Sequence, residues 1–237
     1  DLFGRYEFKT WLKEVSAAGA AADGVSSATP EAGEEAGEGA GEAAEPLVTH
    51  YETVLTWSHF ETWVERVEAA ALTALDTETT SLDSFAARIV GLSLAVQAGT
   101  ACYIPLAHTA PGAPDQLDRE QVLARLKPWL ESGARHKVLQ NAKYDQHVFA
   151  NHGIALAGIA HDTMLQSYVL ESDKGHDLEQ LCTRHLGLAT IAYADLCGKG
   201  AKQIGFDQVD VERASTYAAE DADVTLRVHQ CLLPRFA

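Results

Sequence analysis

The sequence predicts an α/β fold in which a mixed central sheet is flanked by helices. Three features carry this reading. Short apolar runs bounded by turn residues follow one another early in the chain, as in a strand meander. Apolar runs and helix-period segments then alternate. The chain closes on one long helical segment.

Each element has its own signal. Residues 57–70 place Phe60, Trp63, Val64 and Val67 at helical spacing, with Ser58 positioned as a cap. Residues 71–75 are a short apolar run ending on Asp76, the pattern of a buried strand. Residues 89–96 and 101–105 are strand-like, and Gln97-Ala98-Gly99-Thr100 between them predicts a hairpin turn. Residues 118–131 predict a helix interrupted by Pro128, and 137–140 a short strand. A helix follows from 142 to about 151, stopped near Gly153. Residues 162–170, 178–186 and 211–233 predict three more helices, and no internal repeat is present.

Composition divides the chain of 237 residues in three. Residues 1–15 form an aromatic-rich stub with Phe3, Tyr6, Phe8 and Trp11, read as the tail of a preceding domain. Residues 16–46 are almost entirely Ala, Gly, Glu and Ser, with one Val and no aromatic residue, a stretch that cannot offset its ordering entropy by burial. It reads as a flexible linker. Residues 47–237 are the expected globular domain.

The formal charge is −16, and seven of the acids lie in residues 16–46, which hold no Lys or Arg. Such a charge argues against broad electrostatic adhesion to nucleic acid, and suits a domain that receives a strand end from a more basic neighbour. No apolar run approaches the roughly 20 residues needed to span a bilayer. The order of a secretion signal is lacking at the start, and the four cysteines form no Cys-x-x-Cys pair, so a cytoplasmic, monomeric protein without membrane association is expected. None of the ten histidines makes a His-x-x-x-His pair, which sets aside a zinc site.

Three acidic groups stand out. Asp76-Thr77-Glu78 closes a strand, where residues two apart share a face, so both carboxylates can converge on one ion. Gln140-Asn141-Ala142-Lys143-Tyr144-Asp145 lies where a strand runs into a helix; Asn141 and Asp145, four apart, share a face. Read alone, this is an N-cap Asn with an acid in the first turn. Tyr217-Ala218-Ala219-Glu220-Asp221 sits on the last helix, where Tyr217 and Asp221 share a face and two alanines permit close approach. Glu220 and Asp223 are expected to point away into solvent.

Taken together, these segments resemble the 3′→5′ exonuclease domain of the bacterial DNA polymerase I family, within the four-carboxylate exonucleases of the tyrosine subtype. Asp76 through Asp83, Gln140 through Asp145, His161-Asp162-Thr163-Met164-Leu165, Gly198-Lys199-Gly200 and Tyr217 through Thr225 carry the likeness, which covers nearly all of residues 47–236. The stub around Arg5-Tyr6-Glu7-Phe8 is similar to the end of that family's 5′-nuclease domain.

The resemblance implies an RNase H-like (DnaQ-like) fold and a proofreading hydrolase using two divalent cations, Mg²⁺ or Mn²⁺, about 4 Å apart. Hard cations of this kind take oxygen ligands. It further implies that Asp76, Glu78 and Asp221 hold the first ion, that Asp76 bridges to a second supported by Asp145, and that Tyr217 orients the attacking water. The implied substrate is a single-stranded or frayed 3′ end of DNA, releasing 5′-mononucleotides, and the implied partner is a C-terminal polymerase domain. Leu82 and Phe206 match positions that pack on the terminal bases, and Gln140, Asn141 and Tyr144 match positions near the strand's backbone and sugars. Gly198-Lys199-Gly200 is expected on the substrate side. Two rivals remain at this point: an RNase D-like ribonuclease, which shares the acids and tyrosine, and a non-catalytic strand-binding module. The isolated chain is expected to show modest activity that falls as salt rises.

Overall fold

A computed structural model describes residues 47–236. The expected tail (1–15) and linker (16–46) lie outside the described residues.

The first apolar stripe forms helix α1 (Trp57–Ala69), which buries Phe60, Trp63, Val64 and Val67. Full burial of Phe60 and Trp63 stabilises the fold by roughly 2–3 kcal/mol each relative to exposure. The cap is Thr56 rather than Ser58: helical dihedrals begin at Trp57, so the Thr56 hydroxyl accepts from His59 N. Strand β2 (Leu72–Thr79) continues three residues past Asp76, pairing antiparallel with β3 (Ile89–Gln97), which turns through Gly99 at φ +79° into β4 (Thr100–Pro105). Helix α2 (Arg119–Leu130) is not interrupted by Pro128, which sits in its last turn. There the missing N–H removes a single hydrogen bond close to where the helix ends anyway.

Two strands escape the sequence patterns. Strand β1 (His50–Thr53) pairs parallel with β4, and β6 (Ile159–Asp162) pairs parallel with β5 (His136–Leu139). Both are four-residue edge strands of one six-stranded sheet ordered β1-β4-β3-β2-β5-β6. The remaining helices are α3 (Ala142–Ala150), α4 (Thr163–Leu170), α5 (Leu178–Leu186), the unforeseen five-residue α6 (Tyr193–Cys197), and α7 (Val211–Leu232).

The two sheet faces have different cores. On one, Leu75, Leu92, Leu94 and Leu139 pack with side chains of α1, α2 and α3, including Trp63, Leu126 and Phe149. On the other, Ala74, Ala95, Ala101 and Val138 meet Ala219, Ala222 and Leu226 of α7. Small side chains on both partners let α7 lie close against the sheet. No helix among the described residues is long and apolar enough to cross a membrane.

Candidate active site

The site forms where β2 and β5 end. They run parallel with Ala74 opposite Val138, so the residues after Leu139 emerge beside Asp76-Thr77-Glu78. Asp76 and Glu78 follow Ala74 at intervals of two, so they take its face of the sheet, toward α7. There Asp221 comes to meet them: Asp76, Glu78 and Asp221 each offer a carboxylate oxygen within 4.8 Å of the others. Tyr217 lies one turn before Asp221 on the same face of α7. Asp145, in the first turn of α3, is buried and accepts a 2.6 Å hydrogen bond from the Thr77 hydroxyl. These groups line one cleft of about 220 Å³.

The electrostatics of this cleft are compatible with a bound cation. Burial pushes the Asp76 carboxyl up to about 6. Burial, then the facing carboxylates of Asp76 and Asp221, raise Glu78 well above the ordinary range. Burial and Asp76 do the same to Asp145 and Asp221. The Tyr217 phenol is raised by burial and by Asp221 and Glu78, so it holds its proton near neutrality and does not act as a base. No Lys or Arg is among the residues that line the cleft. The acids therefore have no protein countercharge there, and an all-oxygen donor set of this kind fits a hard divalent cation.

A model of the 3′-5′ exonuclease family matches residues 51–237. The chain belongs to that family. It is 48% identical over 235 residues to DNA polymerase I of Pseudomonas aeruginosa, covering 98% of this chain and 24% of that protein. The exonuclease thus spans about a quarter of that relative's length. Solved structures share its fold at low identity. Brucella melitensis NrnC is 18% identical with a TM-score of 0.56, covering 80% of this chain and 82% of its own. Escherichia coli RNase D, an exoribonuclease, is 18% identical with a TM-score of 0.56, covering 78% and 45%. These likenesses place the exonuclease in the RNase H-like, DnaQ-like fold class.

Around the acids, the residues expected to touch substrate differ in what they are free to do. Leu82 is 86% exposed at the rim of the cleft. Tyr144 lines the cleft, but its hydroxyl donates to Ser81 O at 2.6 Å and is hydrogen-bonded to Thr79. Gln140 has both ends of its amide occupied: Nε2 donates to His176 O at 2.8 Å, and Oε1 accepts from the Thr163 hydroxyl. Asn141 stands at the N-cap position without capping: it is left-handed at φ +63° and its side chain makes no cap bond. Among the described residues it is the one non-glycine with positive φ. Such a conformation costs on the order of 1 kcal/mol or more. The Asp162 carboxylate does the capping instead, accepting from Asn141 N at 3.3 Å and Ala142 N at 2.8 Å.

Phe206 is placed elsewhere. It is 1% exposed, in a core cluster with Val90, Tyr103 and Leu196, and is not among the cleft-lining residues. Its apolar character matched two roles, and packing selects the core: it backs Tyr217, ring centroids 6.0 Å apart. The aromatic that does line the cleft there is Tyr193, on α6, which sequence reasoning missed. Asp223 also departs from expectation. It is fully buried, accepting from Tyr51 OH at 2.9 Å and Gly99 N at 2.6 Å, so α7 is tied to β1 and the β3–β4 turn. Glu220 is half-buried and accepts from Ile191 N at 2.7 Å. Gly198, at φ +78°, ends α6, and Lys199 beyond it is exposed and does not line the cleft.

Proposed function

We propose that the exonuclease hydrolyses the last phosphodiester at a DNA 3′ end, releasing a 5′-mononucleotide, with two divalent cations held by Asp76, Glu78, Asp145 and Asp221. The observation that carries this reading is the convergence of Asp76, Glu78 and Asp221 within 4.8 Å in a cleft lined by no Lys or Arg. An anionic phosphodiester would be repelled from such a site unless cations neutralise it. Divalent cations there would supply Lewis-acid stabilisation of the attacking and leaving oxygens near neutral pH. Asp76, Glu78 and Asp221 would hold the first and Asp145, with Asp76, the second. Tyr217 would donate or accept a hydrogen bond that orients the incoming water. Water's oxygen bonds to phosphorus as the bond to the 3′ oxygen breaks, leaving a shortened strand with a free 3′ hydroxyl.

Leu82 at the rim and Tyr193 in the lining would offer apolar surface to the terminal bases, where stacking contributes about 1–3 kcal/mol without sequence preference. The site would take a single strand in preference to a duplex, so frayed, mispaired ends would enter most readily. That is the physical basis of proofreading within a longer polymerase, the partner that the relatives' names support. Soluble, cytoplasmic work as a monomer is part of the same proposal.

Matched 5′-labelled DNA and RNA single strands, each with Mg²⁺ or Mn²⁺ and with chelator, test it. The expected outcome is a ladder shortening from the DNA 3′ end that chelator abolishes. Faster loss from RNA would favour the RNase D-like reading, and binding without cleavage in every condition would favour a strand-binding module.

A further inference from the structure

The first turn of α3 is held by residues that the proposed ligand set does not use. Thr77 lies between Asp76 and Glu78 in sequence but on the opposite face of β2, toward α3. It is 7% exposed, and its hydroxyl is committed to Asp145 Oδ1 at 2.6 Å. Thr79, next on that face, is hydrogen-bonded to Tyr144. From the other side, Asp162 caps α3 through Asn141 N and Ala142 N, and caps α4 through Leu165 N at 3.1 Å. The segment His161-Asp162-Thr163 therefore brackets the back of the site: Thr163 Oγ1 also donates to Leu139 O at 3.2 Å.

We propose that Thr77 and Asp162 are positioning residues that fix Asp145 against Asp76, and so set the affinity of the site for its second divalent cation. The inference rests on the ligand set proposed above. A carboxylate free to rotate presents its oxygens to a cation only part of the time. A short O–H···O⁻ bond pins one oxygen and leaves the other free to serve a cation. Partners of this kind, one step removed from the cation, typically set affinity by ten- to a hundredfold. Asp162 fixes the other variable, the place of the α3 backbone, by supplying the cap that left-handed Asn141 does not. One strand thus sets three of the four acids: Asp76 and Glu78 directly from one face, and Asp145 through Thr77 from the other.

Thr77→Val keeps the shape and removes the hydroxyl, whereas Thr77→Ser keeps the hydroxyl. The measurement is the Mn²⁺ concentration giving half of the metal-induced rise in Tm without DNA, alongside that giving half-maximal nucleotide release. Thr77→Val is expected to raise both roughly tenfold. Thr77→Ser is expected to stay within about twofold of wild type, and Asp162→Asn to shift both thresholds upward by less than Thr77→Val. In an Asp145→Asn background, Thr77→Val should produce no further shift, because its effect runs through Asp145. A merely structural threonine would lower the metal-free Tm and leave both thresholds unchanged. Wild-type thresholds in Thr77→Val beside altered ones in Asp145→Asn overturn the clamp alone. Wild-type thresholds in Asp145→Asn overturn the ligand set and the clamp with it.

Discussion

At the scale of single residues, the site depends on parity along β2 and on a four-residue step along α7. Tyr217 is raised beyond its ordinary range by burial and by Asp221 and Glu78, so it cannot serve as a base near neutrality. Tyr217→Phe is expected to lower kcat roughly hundredfold, the scale of a misplaced reactant. It should leave the Mn²⁺-induced rise in Tm intact; loss of both would make Tyr217 part of the cation site itself. A second residue prediction concerns pH. His229 is 2% exposed on α7, its ring 4.1 Å from that of His161, with Nδ1 3.1 Å from Gln166 Oε1. Burial, then His161, push it down from 6.5 to about 4. The unfolded chain therefore binds this proton more readily than the folded one. Stability attributable to His229 is full above about pH 6.5 and is lost as pH falls toward 4. Tm measured across that window should fall less steeply in His229→Gln than in wild type; parallel slopes would contradict the assignment.

At the scale of elements, α7 holds its place because alanines face the sheet and Asp223 anchors its far side. Ala219→Leu would wedge the helix outward, at a cost of about 1–3 kcal/mol, and carry Asp221 away from Asp76. A lower Tm together with a higher Mn²⁺ requirement is expected; an unchanged requirement would show that the site tolerates helix displacement. Strand β5 has its own anchor. Lys137 is fully buried, donating to Trp129 O, Arg135 O and Ala157 O at 2.8–3.0 Å, above the Trp129 ring. Lys137→Met leaves those carbonyls without this donor and should cost roughly 2–4 kcal/mol in urea unfolding, with cleavage retained below the transition. These elements also show what the sequence made legible. Helices α1 and α7 were readable because each buries one periodic face, and strands β2 to β4 because each is a nearly continuous buried run. The edge strands β1 and β6 were not, since His50-Tyr51-Glu52-Thr53 and Ile159-Ala160-His161-Asp162 bury too little to leave a pattern. Spacing put Asp76 with Glu78 and Tyr217 with Asp221 on shared faces, but it was the family resemblance of their segments that singled out Asp76, Glu78, Asp145, Tyr217 and Asp221 as a site. Phe206 was read as a base-packing residue and Tyr193 was passed over because apolar character alone does not separate a core ring from a cleft ring. Asn141 was read as a cap because residue type does not reveal a left-handed backbone.

At the scale of the whole molecule, the apolar cores lie on both faces of the sheet while the acids gather where β2 and β5 end. The fold should therefore persist without metal. Chelator is expected to abolish cleavage while leaving the circular dichroism spectrum native, and Mn²⁺ at a hundred times its Kd should stabilise by about 2.7 kcal/mol per site. Unfolding on chelation would instead make the cation structural. The central claim is that the converged acids perform the hydrolysis, and its most direct test is one comparison. Release of the 3′-terminal nucleotide from a 5′-labelled DNA single strand is followed with saturating Mn²⁺ for wild type and Asp221→Ala, both shown to be folded. The account predicts stepwise shortening from the 3′ end by wild type and none by the variant; comparable shortening by Asp221→Ala would contradict it.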